Sequence, residues 1–410
     1  MIEKEQKDKE KNAHPLLSVA PYLIAVISPI VPLLMLARSF SDFRSKVSDL
    51  PEYYTAAWLF LSGRASEIYS LRFGLVEKQL FPDLTERVVP FLLAPPAVVL
   101  VVPLAFFSPQ QASLFWTIFL GACLLSSVVL LARLNCLSRK GFLYFFALVS
   151  IFGAAFESLK LGQIAPFLLL SYSLGLYLKK TKRPILAALA FSILAIKPQF
   201  FIALLFCLIG SRQYLISGLS ISIALMVSLL VSLFIGIEGW QQYFDLMQWA
   251  FSHPGEIATN LNPTLKGQLL LLFGSSNRSI EIASLLVLLS AMAAIFLLAR
   301  KKSSGTSQAA VLSCMPLAFL AAPYAQSYDL LLLLPSLVCF VANKLYLRIS
   351  AWILMPLAIL SSLFFLPFYS FVHYDYLLKG ACLNPFFFLL LAYGAIIVVV
   401  VLKAIKRTFI

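Results

Sequence analysis

The sequence predicts an all-α, polytopic integral membrane protein that forms a single domain over residues 1–410. Two observations carry this prediction. Of the 410 residues, 61% are hydrophobic and 12% are charged, which is about half the charged fraction of a typical soluble domain. Apolar runs, many near the ~20 residues that cross a ~30 Å hydrocarbon core, recur as far as the C-terminus. No soluble domain fits between them.

About twelve spans can be counted along the chain. A charged tail, residues 1–14, precedes them and is expected to be disordered. The first apolar run, Leu16 to Ala37, is too long for a signal peptide and lacks a small-residue cleavage site, so we expect it to remain as the first helix. The predicted spans are 15–38, 112–132, 141–157, 164–178, 184–197, 199–210, 213–236, 280–299, 307–322, 328–342, 350–369 and 383–402.

The apolar segment 88–107 is not counted as a span, because it holds four prolines, each of which removes a backbone donor and kinks a helix. We predict a broken juxtamembrane or re-entrant element there. The positive-inside rule supports this choice: with a cytoplasmic N-terminus, the tail and inner loops hold 20 of the 32 Lys and Arg residues. Both termini are therefore predicted on the cytoplasmic side of a bacterial-type inner membrane, with outer loops at 39–111 and 237–279.

Two predicted spans, 184–197 and 199–210, are too short to cross ~30 Å at 1.5 Å per residue. They meet at Lys197-Pro198-Gln199, which we expect in a recessed, water-accessible cavity open to the outer side. A lysine at that depth needs a partner and is a functional hypothesis by default. It either binds a ligand phosphate or pairs with an outer carboxylate.

On this topology, the side chains that could carry chemistry collect on the outer face, whereas the inner face has short basic connectors. The six cysteines lie singly in or beside apolar segments, which suggests neither a metal cluster nor a disulfide. No Gly-rich phosphate loop, HExxH or GxSxG motif occurs, which weighs against P-loop NTPases, zincins and elbow-type hydrolases. The outer candidates are Asp49, Tyr53, Tyr54, Gln163, Lys197, Gln199, Asn262, Lys266 and Asp329.

Four pieces, in this order, carry a resemblance to a known family: Asp49-Leu-Pro-Glu-Tyr-Tyr-Thr-Ala-Ala with Gly63 and Tyr69 behind it; the proline-rich segment 90–105 followed by Trp116; Gly162-Gln163 and then Lys197-Pro198-Gln199; and Asn262-Pro-Thr-Leu-Lys-Gly267. The last piece is similar to a degenerate N-Q-S-L-x-G motif, with Pro263 and Thr264 in place of the usual Gln-Ser. Over about residues 40–340 the chain resembles the polyprenyl-phosphate-dependent glycosyltransferases of family 87, within the GT-C superfamily.

The resemblance implies a GT-C-like fold whose first outer loop carries the catalytic aspartate between juxtamembrane helices. It also implies inverting transfer of a sugar, with mannose as the first candidate, from a polyprenyl phosphate to a lipid or glycan acceptor outside the cytoplasm. Membrane lipids are then partners, and neither a cofactor nor nucleic acid is expected. The roles implied are general base for Asp49, donor phosphate binding for Lys197, Gln163 and Gln199, and substrate contacts for Tyr53, Tyr54, Asn262, Lys266 and Asp329, with no metal site.

Several alternatives stay open at this point. Asp49, followed by Leu and then Pro, also matches a helix start, and Asp42 competes with it as the base. Gln163 could hydrogen-bond a helix end. A transporter or flippase of lipid-linked sugars would share the cavity and the lysine without needing a base, and a glycan ligase acting on polyprenyl diphosphate would need more outer arginines.

Overall fold

The computed structural model describes residues 48–82, 90–150, 152–252, 262–273, 278–300 and 306–342, with the single positions 387 and 391. Every regular element within these residues is helical, which confirms the all-α prediction. The α-helices are α1 (Leu50–Leu61), α2 (Phe73–Leu80), α3 (Ala97–Val101), α4 (Pro109–Leu134), α5 (Arg139–Ser150), α6 (Gly153–Leu161), α7 (Ala165–Lys180), α8 (Pro184–Ser192), α9 (Pro198–Gly210), α10 (Tyr214–Ser252), α11 (Leu265–Phe273), α12 (Arg278–Arg300), α13 (Thr306–Ala321) and α14 (Leu334–Ala342). The 3₁₀-helices are η1 (Ala65–Tyr69), η2 (Val102–Phe106), η3 (Ile193–Ile196) and η4 (Ser327–Leu333).

Among the described residues, three helices are long and apolar enough to cross a membrane: α4, α10 over Tyr214–Ala250, and α12. Helices α5 and α6, bent by 54° at their break, make a fourth crossing if the pair acts as one span. By length and composition, the described residues therefore identify three or four of the twelve predicted spans. The predicted spans 15–38 and 350–369 lie outside the described residues, as does nearly all of 383–402.

Helix α4 shows how the sequence sets a helix start. Ser108 is the N-cap, and Pro109 occupies the first helical position, where its missing N–H costs no hydrogen bond. The Ser108 hydroxyl accepts a hydrogen bond from the Gln111 backbone at 3.4 Å, and the Gln111 side chain accepts one from the Ser108 backbone at 3.2 Å. This reciprocal capping box fixes the entry of the long helix.

The two breaks predicted from proline are both present. The apolar segment 90–107 contains only the five-residue helix α3 and the five-residue η2 in its second half. Helix α8 continues directly into η3, which ends at Ile196, and α9 begins at Pro198. Lys197 lies between them with φ −120° and ψ 88°, because a residue before proline is pushed out of the helical region.

The predicted span 141–157 is interrupted in the structure. The sequence predicts a single helix over 141–157, but α5 ends at Ser150 and α6 starts at Gly153. Phe152 between them has an extended backbone, with ψ at 109°. The apolar composition continues through this break, so hydropathy gave no sign of it.

Small residues bring neighbouring helices close together, as is common in membrane proteins. A Cβ atom on Gly175 of α7 would lie 2.3 Å from a ring carbon of Phe191 on α8. A Cβ on Gly210, at the end of α9, would lie 2.5 Å from the backbone oxygen of Phe296 on α12. Both positions therefore require glycine for close contact between helices.

Helix α10 changes direction at Gly236, where φ is 68° and ψ is −179°. This backbone region is essentially restricted to glycine. The predicted span 213–236 ends at this residue. Beyond it, Tyr243 packs edge-on against Tyr69 of η1, with 5.1 Å between ring centroids, so the second part of α10 contacts the segment that follows α1.

Candidate active site

Asp49 lies where the start of α1 meets the end of α6. Its backbone N–H donates to the Leu161 carbonyl at 3.0 Å, and the Ser48 hydroxyl donates to the same carbonyl at 3.4 Å. Asp49 is the N-cap residue of α1, but its side chain makes no capping hydrogen bond. Helix capping therefore does not account for the direction of this half-buried carboxylate.

Gln163 connects Asp49 to Tyr53. Its side-chain Nε2 donates to Asp49 Oδ2, and its Oε1 accepts a hydrogen bond from the Tyr53 hydroxyl at 3.0 Å. Gln163 is 4% exposed and Tyr53 is 1% exposed. Three residues predicted for the site thus form one chain of hydrogen bonds, in which Gln163 contacts the candidate base.

The turn that carries Gln163 is held from two sides. Gly162 ends α6 in the left-handed conformation, with φ 73°, and the Gln163 backbone N–H donates to Ser158 O at 2.8 Å. These are the features of a Schellman motif, which usually needs glycine. The indole N–H of Trp116 on α4 donates to Gly162 O at 2.7 Å, so α4 also fixes the turn.

Lys197 is paired with Asp329. Lys197 Nζ lies 2.5 Å from Asp329 Oδ1, and it also lies 5.0 Å from the centroid of the Tyr328 ring. The backbone N–H of Gln326 donates to the second oxygen of Asp329 at 3.2 Å. Lys197 is 8% exposed and Asp329 is 0% exposed. Lys197 therefore pairs with a carboxylate, and this contact joins two predicted site residues.

Helix α6 also binds the segment that carries Asp329. Glu157 accepts a hydrogen bond from the Ser327 hydroxyl at 2.8 Å, and the Ser158 hydroxyl donates to Tyr328 O at 3.3 Å. On the other side of this segment, Gln199 Nε2 donates to Tyr324 O at 3.1 Å. The Asp49 loop and the 324–329 segment are therefore both attached to α6.

The negative charges of Asp49 and of Asp329 act on the same two tyrosines, Tyr53 and Tyr324. Burial, then the negative charges of Glu52, Asp49 and Asp329, raise the pKa of Tyr53 well above its usual value. Burial also raises the pKa of Tyr324, with further contributions from Asp329, Asp49 and Glu52. Both hydroxyls therefore stay protonated at neutral pH and can donate hydrogen bonds.

Tyr54 lies next to Tyr53 and has a different environment. Its hydroxyl donates to the backbone oxygen of Phe107 at 3.0 Å, and its ring packs edge-on against Phe81 with 5.6 Å between centroids. Tyr54 thus ties α1 to the end of the segment that contains η2.

Asn262 and Lys266 belong to a second polar cluster, at the start of α11. Lys266 Nζ lies 2.7 Å from Glu281 on α12, and Asn262 Oδ1 accepts a hydrogen bond from the Thr264 backbone at 3.2 Å. A Cβ on Gly267 would lie 2.4 Å from Asn262 O, which explains the glycine of this motif. Lys266 is 4% exposed and Glu281 is half exposed.

Sequence reasoning did not assign roles to Ser158, Ser327 or the indole N–H of Trp116. Ser158 and Trp116 donate to backbone oxygens across the site, and Ser327 donates to the Glu157 carboxylate. A serine in an apolar segment gives little indication of such a partner. Asp42, the competing base, lies outside the described residues. Within the part of the chain that the structure describes, no three His, Cys, Asp or Glu side chains converge as a metal site would require.

Comparison with known proteins identifies the family. No curated protein and no solved structure matches the chain. The family model for glycosyltransferase family 87 matches residues 91–323, a segment that includes Gln163, Lys197 and Lys266 and begins after α1. This match covers more than half of the sequence and confirms the resemblance noted from its motifs. The chain belongs to glycosyltransferase family 87.

Proposed function

We propose that this glycosyltransferase moves a sugar, with mannose as the first candidate, from a polyprenyl phosphate to a lipid or glycan acceptor on the extracytoplasmic side. Three of the described helices are long and apolar enough to cross a membrane, which suits a donor that is itself anchored in the bilayer. The excess of Lys and Arg in the predicted inner loops supports an outer location for the site. Nucleotide sugars are absent there, so an activated sugar has to arrive on a lipid carrier.

Asp49 is the general base in this proposal. Its carboxylate takes the proton from the acceptor hydroxyl as the hydroxyl oxygen attacks the anomeric carbon of the donor sugar. The bond between that carbon and the phosphate oxygen breaks, and the electron pair leaves with the polyprenyl phosphate. Because attack and departure occur on opposite faces, one displacement inverts the anomeric configuration. Asp49 then releases its proton to solvent.

Lys197 stabilises the leaving phosphate. An ammonium group has three N–H donors, and Asp329, at 2.5 Å, takes one of them. Asp329 thereby fixes the direction of the others, which can bind phosphate oxygens. Gln199, two residues further on, donates to Tyr324 O and holds the 324–329 segment beside Lys197.

The observation that carries the proposal is the attachment of both groups to one helix. Asp49, with its carboxylate bonded to an amide, and Lys197, with its ammonium bonded to Asp329, come from distant parts of the sequence. Helix α6 contacts both the Asp49 loop and the 324–329 segment. A base on one side and a cation on the other are what an inverting transfer from a phosphate donor needs.

Purified protein supplied with radiolabelled polyprenyl-phosphate-mannose and a cell-envelope lipid extract tests the proposal. Wild type is expected to form a labelled glycolipid, and Asp49→Asn is expected to lower the rate by about 10²- to 10⁴-fold. Asp245→Asn is the matched control, because Asp245 is exposed on α10 and should keep the wild-type rate. Equal transfer by the wild type and Asp49→Asn would remove Asp49 as the base and leave Asp42 as the candidate.

Two further measurements separate the parts of the proposal. NMR of the product should show an anomeric configuration opposite to that of the donor, and retention would rule out the single displacement. Polyprenyl-phosphate-arabinose and polyprenyl-phosphate-glucose, tested in the same assay, identify the sugar if mannose fails. A transporter or flippase would move the labelled donor across a vesicle membrane without forming a new glycolipid.

A further inference from the structure

Asp49, the N-cap residue of α1, lies one turn before Tyr53, whose backbone N–H donates to Asp49 O at 3.3 Å. Residues four apart in a helix share one face. Gln163 approaches that face from the turn between α6 and α7 and bonds to both side chains at once. The three side chains therefore act as one unit although Gln163 is more than 100 positions away in the sequence.

The orientation of the Gln163 amide follows from its two neighbours. An ionised carboxylate can only accept hydrogen bonds, so the amide N–H₂ group must face Asp49 whenever Asp49 is charged. The amide oxygen then faces Tyr53, whose hydroxyl donates to it. Burial and the charges of Glu52, Asp49 and Asp329 raise the pKa of Tyr53, which keeps this hydroxyl protonated. A reversed amide would point its oxygen at the Asp49 carboxylate, and two acceptors would repel each other.

The surroundings leave this arrangement little freedom. The Gln163 backbone is bonded to Ser158 O at 2.8 Å. The Tyr53 ring packs edge-on against Trp116 and Phe91, with centroids 5.9 and 6.2 Å away. Both side chains are buried. Proteins stabilise a charged group by holding hydrogen-bond donors toward it in advance, so that the surrounding side chains need not reorganise.

We propose that Tyr53, acting through Gln163, is a positioning residue that keeps Asp49 ionised and correctly oriented for proton transfer. This inference rests on the proposed role of Asp49 as the base. It gives Gln163 and Tyr53 a function at the acceptor side of the reaction, in place of the donor-phosphate and sugar contacts expected from the sequence.

The expected effect is a change in the pH dependence of turnover. A carboxylate that loses a donated hydrogen bond holds its proton to a higher pH, so the acidic limb of the kcat profile should move to higher pH. For Gln163→Leu, which removes the donor, we expect a shift of about 1 to 2 pH units. For Tyr53→Phe, which keeps the donor but frees the amide to turn, we expect a smaller shift, of about 1 unit or less.

The experiment measures kcat and the donor KM from pH 4.5 to 9 for wild type, Tyr53→Phe, Gln163→Leu and Gln163→Glu. Gln163→Glu places a second acceptor against Asp49 and should give the largest shift. At pH values above the shifted acidic limb, the kcat of Tyr53→Phe should return to within a few-fold of the wild-type kcat, and its donor KM should be unchanged. A variant that merely disturbs the fold would lose activity equally at every pH.

Tyr69→Phe is the matched control. Tyr69 is also buried, its ring also contacts Phe91, and its hydroxyl donates to Leu93 O at 3.1 Å rather than to Gln163. Its acidic limb should stay at the wild-type pH. The proposal is overturned if Tyr53→Phe leaves the limb in place, or if Tyr69→Phe moves it equally. Asp49→Asn in the same assay tests the base role separately from the positioning role. If Asp49→Asn keeps the wild-type rate, Asp49 is not the base.

Discussion

Lys197 and Asp329, 132 positions apart in the sequence, form a buried ion pair with 2.5 Å between Nζ and Oδ1. The pair lies where two short helices meet, and the Gln326 backbone bonds the second oxygen of the carboxylate. Two charges removed from water are stable only when each satisfies the other. The fold around α9 and η4 therefore depends on both residues.

Breaking this pair on one side should destabilise the protein more than removing both charges. For Lys197→Met or Asp329→Leu alone, we expect a loss of about 3 to 5 kcal/mol, because one buried charge is left without its partner. The double variant should recover most of that loss. Unfolding in detergent, analysed as a double-mutant cycle, measures the coupling. Arg64→Met, which removes a partly exposed ion pair with Glu67, is the control and should change the transition far less. Additive effects of the two buried substitutions would contradict the prediction.

Asp329→Asn should strengthen phosphate binding while it weakens the fold. The asparagine can still accept the Gln326 N–H, but it no longer neutralises Lys197, so more positive charge is available to an anion. We expect polyprenyl phosphate to bind about tenfold more tightly, a difference of about 1.4 kcal/mol, and to raise the unfolding temperature more than in wild type. Lys197→Met should lose this binding. Equal affinity of wild type and Asp329→Asn would mean that Lys197 does not meet the phosphate.

Trp116→Phe tests the support of the Gln163 turn. The substitution keeps an aromatic ring but removes the N–H that donates to Gly162 O at 2.7 Å. A carbonyl left without its partner and a looser turn should reduce kcat by about 10- to 100-fold, since small misplacements of catalytic groups have effects of this size. Trp240→Phe is the control, because the Trp240 indole bonds Ser232 within α10. A wild-type rate for Trp116→Phe would show that the turn holds its position without α4.

Gly175→Ala should disturb the contact between α7 and α8. The added Cβ would lie 2.3 Å from the Phe191 ring, and overpacking of this kind costs about 1 to 3 kcal/mol. Adding Phe191→Leu, which removes the ring, should restore part of the stability. Gly218→Ala on α10 meets nothing within 4 Å and should leave the apparent melting temperature unchanged or higher. The prediction fails if the two alanine variants melt at the same temperature.

Local signals explain what could be predicted of the fold. The breaks in 90–107 and at Lys197-Pro198 follow from proline, which acts on its immediate neighbours. The break between α5 and α6 was missed, because Phe152 lies in an uninterrupted apolar run and no proline marks the break. Hydropathy also finds apolar helices without showing which of them cross the membrane. Of the helices that the structure describes, α4, α10 and α12 qualify by length and composition, with the bent pair α5 and α6 as a fourth.

The candidate site was only partly accessible from the sequence. Lys197 could be selected because a lysine is unusual between apolar helices, and Asp49 because its motif resembles the opening of family 87. Their partners could not be selected with the same assurance. Gln163 contacts Asp49 across 114 positions, and periodicity describes neighbours within a few turns. The donor-phosphate contact of Gln163 came from the family resemblance and stays a prediction, while the bonds of its side chain to Asp49 and Tyr53 were not foreseen.

The two attachments of α6 have a consequence for the order in which the chain is made. Ser48 and Asp49 are already synthesised when α6 forms, but Tyr328 follows Ser158 by 170 positions. At ~5 to 20 residues per second, ribosomes need roughly 10 to 30 s to supply it. For most of that interval Lys197 has been translated but Asp329 has not, so the buried ion pair cannot yet form. The junction of α8 and α9 therefore acquires its partner late, when the 324–329 segment has been made.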